Sequence, residues 1–239
     1  MTCTKPRHDP VRRAAMALAS TSLTALLALA SGSLLIATPP ALAQAPAAAP
    51  AAADSGFNAA FARFIAARPG DDEAIDDAAS QFSRLSAAAP TDPVLRVYAG
   101  AATSMRATTT MLPWKKMSHA EDGLALIDKG LALLNASHDA PSHQGVPAAL
   151  NARFTAASTF LALPAMFNRN ERGRSLLRQV TDSPLLDAAP AGFKASVWLR
   201  AAALAGEDKQ PAQARQWLEK AAASGAPQAA AARDKLKAL

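Results

Sequence analysis

Cysteine is almost absent. The one thiol, Cys3, sits at the extreme N-terminus, so residues 44–239 offer no disulfide, no zinc–cysteine site and no cysteine nucleophile. Aromatic residues make up only 5% of the chain, with a single tyrosine. Val, Ile and Tyr are too scarce to build a sheet. No glycine-rich turn of the kind that cradles phosphates after a strand is present. Alanine is abundant instead, and it enters helices without losing side-chain entropy. The composition therefore predicts an all-α fold.

Excess charge is also modest. The formal net charge over 239 residues is +6, but Lys5, Arg7, Arg12 and Arg13, opposed only by Asp9, belong to the first 43 residues. The remainder holds 21 basic and 18 acidic side chains, a net charge of +3, with no long run of one sign. Nucleic-acid binding needs a concentrated basic stripe, so no nucleic-acid partner is expected.

The order of features at the start is that of a secretory signal. A basic KPRHDPVRR precedes the weakly apolar Ala14–Ala37, and Ala41-Leu42-Ala43 supplies a small-x-small cleavage site. Residues 1–43 are read as a signal peptide cut after Ala43, giving a periplasmic or secreted protein. The alternative is an uncleaved anchor, because the apolar stretch is long enough to span; its Ala, Ser, Thr and Gly32 suit lipid poorly. A membrane partner is expected only if that leader is retained. Cys3 precedes the apolar core, which argues against a lipoprotein-type acylated cysteine. Arg12-Arg13 invites a twin-arginine export reading, although Ala-Ala-Met follows it poorly. Residues 44–54, QAPAAAPAAAD, read as a disordered Ala/Pro linker.

Residues 55–239 form the expected folded domain. Pro, Gly and Asn/Asp punctuation divides it into helices near 56–68, 71–88, 92–109, 115–135, 147–163, 169–181, 191–205, 211–223 and 226–238. Asp71-Asp72-Glu73 puts acid at a helix start, and Asp92-Pro93 reads as an N-cap followed by Pro at the first helical position. Short connections pair the helices into stacked antiparallel hairpins. The clearest pair is ASVWLRAAALAGEDKQPAQARQWLEKAAASGAP, residues 195–227. Trp198 precedes small Ala201, Ala202 and Ala205; then come Ala214, Leu218, Ala221 and the closing Pro227. This unit resembles the tetratricopeptide repeat, and ARQWLEKAAASGA is similar to the second helix of its SEL-like variant. Ala205 stands where the repeat usually has an aromatic, and Ala201-Ala202 replaces its Leu-Gly pair. Residues 92–190 fit loosely as two more hairpins. The resemblance implies a TPR-like α-solenoid of degenerate repeats, of bacterial exported type.

The most polar stretch, KKMSHAED at 115–122, poses the question of chemistry. Met117, Ala120, Leu124, Ile127, Leu131 and Leu134 make one apolar helical stripe, which leaves those polar residues on its wet side. Glu121 and Asp128 border the stripe. Gly123 and Gly130, seven apart, line its other border and predict close approach of a neighbouring helix. His119 and Asp122 are spaced to meet as a local pair. Lys115 and Lys116 occupy a first helical turn, where the dipole disfavours cations, so they are expected to pair with acids or face a partner. HAED lacks the second histidine of H-E-x-x-H, and no G-x-S-x-G elbow occurs. His138 and His143, with four residues between them in SHDAPSHQG, read as solvated loop histidines rather than a metal site. No catalytic residue, metal ligand or cofactor-binding residue is assigned, and no cofactor is expected.

Three features bear on binding. Asn151, Thr155 and Ser158 form a polar stripe on the helix at 147–163, either the floor of a partner-binding groove or small groups easing helix contact. Arg169, Arg172 and Arg174 in FNRNERGR read as a solvated turn or an acid-binding cluster. Trp114 reads as a core anchor, with an exposed hot spot as the alternative. The signal pattern, the paired helices and the lack of catalytic signatures point to a non-enzymatic, exported scaffold that binds a protein or peptide in the cell envelope. The alternatives are a hydrolase-like enzyme with a site between helices and a membrane-anchored accessory subunit. N-terminal sequencing of the native protein is expected to begin at Gln44; a start at Met1 would mean the leader is kept.

Overall fold

The structure, a computed structural model, describes residues 49–67 and 71–239; the expected signal peptide and residues 44–48 of the linker lie outside them. Among the described residues the chain is all-helical, without strands, and one isolated antiparallel bridge joins Pro141 to Pro147. The helices are α1 (Ala49–Ala66), α2 (Asp72–Ala88), α3 (Pro93–Met105), α4 (Pro113–Ala132), α5 (Ala148–Ala162), α6 (Asn170–Thr181), the single turn α7 (Leu185–Ala188), α8 (Ala191–Glu207), α9 (Pro211–Ala222) and α10 (Ala229–Lys237). Every long helix lies on an expected one.

The differences are local. α1 begins at Ala49, inside the stretch assigned to the linker. Pro50 is then its second residue, where a missing N–H costs nothing, and the alanines that follow favour helix. α3 ends at Met105 and gives way to a 3₁₀ turn, Arg106–Thr108. α7 has too few residues for a periodic pattern.

The caps act as their sequence implied. Asp71 accepts the Ala74 N–H at 3.0 Å. The Asp92 Oδ1 accepts from Val94 at 2.8 Å and Leu95 at 3.1 Å, and Pro93 starts α3. Each cap satisfies N–H groups that the first helical turn leaves without an intrahelical partner.

Packing follows chain order. α1 meets α2, α2 meets α3, α3 meets α4, α5 meets α6, α8 meets α9 and α9 meets α10; α3 also touches α5, and α6 touches α8. In the hairpin that carries the repeat resemblance, Ala201, Ala202, Ala205, Ala214, Leu218 and Ala221 are all buried, and Ala202, Leu218 and Ala221 share one cluster where α8 and α9 meet. Small side chains allow that approach, and Trp198, Leu199 and Trp217 pack around it.

α3 is the most enclosed element: Pro93, Val94, Leu95, Val97 to Ala102 and Ser104 are buried. On one side Tyr98 enters an aromatic nucleus with Phe57, Phe61 and Phe64 of α1 and Phe82 of α2, at centroid separations from 4.9 to 5.9 Å. Its hydroxyl donates to Asn151 Oδ1 of α5 at 3.1 Å. On the other side α4 lies against its backbone. A Cβ on Gly123 would stand 2.5 Å from the Gly100 carbonyl oxygen and 2.6 Å from the Ser104 nitrogen. A Cβ on Gly130 would stand 2.7 Å from Val97 Cγ2 and 3.1 Å from the Pro93 oxygen. The pairing of 104 and 100 with 123, and of 97 and 93 with 130, makes the two helices antiparallel. The apolar stripe of α4 behaves as read: Ala120, Leu124 and Ile127 are buried, while Met117, Leu131 and Leu134 are partly covered.

Ala is the better helix former by about 1 kcal/mol over Gly. At position 123 that gain is overwhelmed, because the obstructing atoms are backbone and cannot rotate away. Gly123→Ala is expected to destabilise by about 2–4 kcal/mol in urea denaturation. Gly206→Ala, where a Cβ meets nothing within 4 Å, should be neutral or stabilise by up to about 1 kcal/mol. Equal effects at the two positions would contradict the close approach.

Candidate functional site

The main polar cluster forms where the segment between α4 and α5 folds back over the α2–α3 turn and the start of α1. Asn135 caps a 3₁₀ turn, Ala136–Asp139: its Oδ1 accepts the Ser137 N–H at 3.0 Å, and His138 Nδ1 accepts the Asn135 N–H at 3.1 Å. Beyond it the chain makes a tight loop. Ser142 N–H donates to Val146 O at 2.9 Å and Ala148 N–H donates to Ala140 O at 3.1 Å. Gln144 and Gly145 close the loop with φ of 57° and 71°. Gln144 holds this left-handed conformation, uncommon without glycine, while its side-chain amide donates to Asn58 Oδ1 of α1 at 3.0 Å.

That geometry drives His143 inward. The ring is only 7% exposed and lies flat on Phe57, 4.4 Å between centroids and 6° between planes. Nε2 stands 2.8 Å from Asp92 Oδ2, and Nδ1 stands 3.4 Å from Asp54 Oδ1. The Asp92 contact is a hydrogen bond. The Asp54 contact is coulombic, since Nδ1 makes no well-formed hydrogen bond. Burial pushes the His143 pKa down, but hydrogen bonding and charge from Asp92, with the charge of Asp54, outweigh it and raise the pKa above its ordinary 6.5. Burial likewise pushes Asp92 up. The hydrogen bond and charge of His143, with the Leu95 and Val94 N–H groups, prevail and hold its carboxyl below the ordinary 3.8. The result is an imidazolium between two carboxylates. A solvated His143 was the sequence expectation; the ring is instead buried and paired, because the left-handed turn aims it at α1 and α3.

Beside this cluster is a cleft of about 370 Å³, lined by Thr91, Asp92, Ser137, His138, Ser142 and neighbouring alanines and prolines. The Ser142 hydroxyl is buried and has no hydrogen-bond partner among the described residues. His143 has both ring nitrogens directed at carboxylates, so it cannot take a proton from that hydroxyl without breaking a pair. No group of three or more His, Cys, Asp or Glu able to hold a metal ion occurs among the described residues.

The residues expected to face a partner lie elsewhere. Asn151 is 3% exposed, engaged by Tyr98; Thr155 is buried; and the Ser158 hydroxyl is buried without a hydrogen-bond partner among the described residues. Their placement suits small polar groups between packed helices. The arginines are paired, although Arg172 stays exposed. Arg169 and Arg172 both pair with Asp128 of α4, at 3.0 and 2.5 Å, and both lie over the Phe160 ring. Arg174 binds Asp208 with two nitrogens, and these hydrogen bonds hold the Asp208 carboxyl below its ordinary value. Asp122 accepts from Ser118 at 3.3 Å rather than pairing with His119.

Trp114, expected in the core, is 66% exposed. It continues the spacing of the α4 stripe, but α3 stops at Met105, and Ser104 already lies opposite Gly123. The ten residue steps from Pro113 to Gly123 rise about 15 Å, so the first turns of α4 overhang the end of α3. Met111 is 87% exposed beside it, and Leu112 is exposed as well. No helix among the described residues is long and apolar enough to cross a membrane.

Compared with protein-family models, with curated proteins and with solved structures, the chain matches none.

The two shifts at the His143 cluster fix a pH signature. The raised His143 contributes stability fully below 6.5, and loses it as pH climbs through its higher folded pKa. The lowered Asp92 contributes stability above 3.8, and loses it as pH falls through its lower folded pKa. Their joint contribution is therefore greatest between 3.8 and 6.5. His143→Ala should cost about 2–3 kcal/mol at pH 5.5 and distinctly less at pH 9, read by urea denaturation. An equal cost at both would contradict the paired imidazolium.

Proposed function

We propose that the chain is an exported, non-catalytic helical-repeat scaffold, with tetratricopeptide-like hairpins that hold a protein or peptide partner in the cell envelope. The observation that carries this reading is the order of contacts: apart from the loop bearing His143, substantial helix contacts join near neighbours in the chain. Packing of that kind is characteristic of solenoid scaffolds, whose function lies in surface shape. The α8–α9 hairpin supports the repeat reading through its buried small residues. Because fold alone does not specify function, the word scaffold rests also on the chemistry of the cleft. The buried His143 beside the cleft is committed to two carboxylates, which favours a structural cluster over a proton-transfer site.

The cleft bounded by Thr91, Ser137 and His138 is the place where we put the partner. A shallow recess with hydroxyls, an anionic wall at Asp92 and apolar sides fits an extended peptide carrying a basic or amide-rich side chain. Export follows from the signal pattern, and no cofactor is required.

A photo-crosslinking amino acid at Thr91 or Ser137 should give one discrete adduct in envelope extract. The same group at Gln179, exposed on α6, should give none. A common ladder from all three positions, or no adduct at any, would count against a partner in this cleft. Substrate turnover by the purified protein, lost in Ser142→Ala, would favour the hydrolase alternative.

A further inference from the structure

We infer that the tip formed by Met111, Leu112 and Trp114 is a peripheral docking surface for a bilayer bearing anionic phospholipid headgroups. The inference does not depend on the scaffold reading, since it concerns a different surface.

Three consecutive features of the chain produce the tip. α3 ends at Met105 and the 3₁₀ turn Arg106–Thr108 continues against α4, yet Trp114 at the start of α4 stays exposed. Pro113 starts α4 directly after Leu112, which places an apolar pair before the helix and Trp114 at its second position. Met111 is 87% exposed and Trp114 is 66% exposed, two of the largest apolar side chains and among the most solvated. Burying such groups is favourable, and a monomer gains nothing by leaving them wet.

Charge selects the occupant. Lys115 and Lys116 are exposed and make no ion pair among the described residues, and the first turn of α4 has no acid. The helix start adds its own positive partial charge to theirs. By contrast the nearby Arg106 is engaged by Asp76 at 2.8 Å. The tip is thus an apolar wedge with an unneutralised cationic collar. Protein interfaces deplete lysine and seat tryptophan in a packed pocket, whereas here an exposed Trp114 adjoins two exposed lysines. An anionic membrane surface matches both parts at once: Trp settles at headgroup level, the aliphatic groups reach about 5–10 Å inward, and the lysines meet phosphate. The unfavourable placement of two cations in a first helical turn then has a use.

The test places an environment-sensitive NBD label at the tip of the full chain, through Met111→Cys in a Cys3→Ser background. A control label replaces Gln179. Vesicles are phosphatidylcholine alone or phosphatidylcholine with phosphatidylglycerol. Because the readout is local, membrane attachment through residues 1–43 does not imitate it. The label at 111 should shift to the blue with phosphatidylglycerol vesicles only, and the label at 179 with neither. Replacing both lysines (Lys115→Ala, Lys116→Ala) should weaken partitioning on the order of 25-fold, at about fivefold per lysine. Trp114→Ser should weaken it by about tenfold, and 0.5 M salt should suppress the lysine-dependent part.

A label at 111 that stays unshifted with anionic vesicles overturns the inference, as does an equal shift on both lipids. A shift that grows with protein concentration and needs no lipid would assign the tip to a second copy of the chain and overturn it too. Persistence of partner crosslinking at Thr91 in the tip variants would keep the cleft reading standing whatever the vesicles show.

Discussion

Two backbones touch where Gly100 and Gly123 face each other, and much of the molecule's arrangement depends on that contact. No side chain stands between α3 and α4 there, so their separation is set by carbonyl and amide atoms and not by compressible groups. Two turns further along α4, Gly130 makes room for the Val97 side chain and the Pro93 carbonyl. With this face given to backbone contact, α3 turns Tyr98 toward α1, α2 and α5. The same register makes α4 outrun α3, and the overhang leaves Met111 and Trp114 in water. A core seam and a surface feature thus share one cause.

The His143 cluster supplies what nearest-neighbour packing does not. Hairpins that touch only their neighbours leave the first helix held from one side. The loop between α4 and α5 returns to α1 and adds a stacked ring, a charge pair and the Gln144–Asn58 hydrogen bond. Asp92 joins this closure to the cap of α3, because one carboxylate oxygen serves the helix and the other serves the imidazole. Ionised groups so placed are costly to bury unless each meets its counterpart. They rigidify the fold, and the cleft beside them inherits a fixed wall.

Local features were legible from sequence to the extent that their causes were local. Pro and Gly punctuation placed the long helices, Asp92-Pro93 announced its cap, and Gly123 with Gly130 announced a close neighbour. Periodicity also put Ala120, Leu124 and Ile127 on a buried face. It misplaced Trp114, since the spacing tells which face a residue occupies and not whether a partner helix extends far enough to cover it. The stripe Asn151, Thr155 and Ser158 was visible as a stripe, yet a polar stripe looks the same whether it meets solvent or Tyr98. His143 gave no sign of burial: its partners lie 51 residues away at Asp92 and further still at Asp54.

By itself, then, the sequence determined the all-helical character, the approximate positions of the long helices, the caps and the glycine seam, since these arise within a few turns of chain or from a missing Cβ. Only the tertiary structure decided that His143 would be an ionised core group, that Arg169, Arg172 and Arg174 would be paired, and that Trp114 would stand exposed. Each of those outcomes depends on where one helix stops against another and on contacts between residues tens of positions apart, and no local pattern encodes such distances.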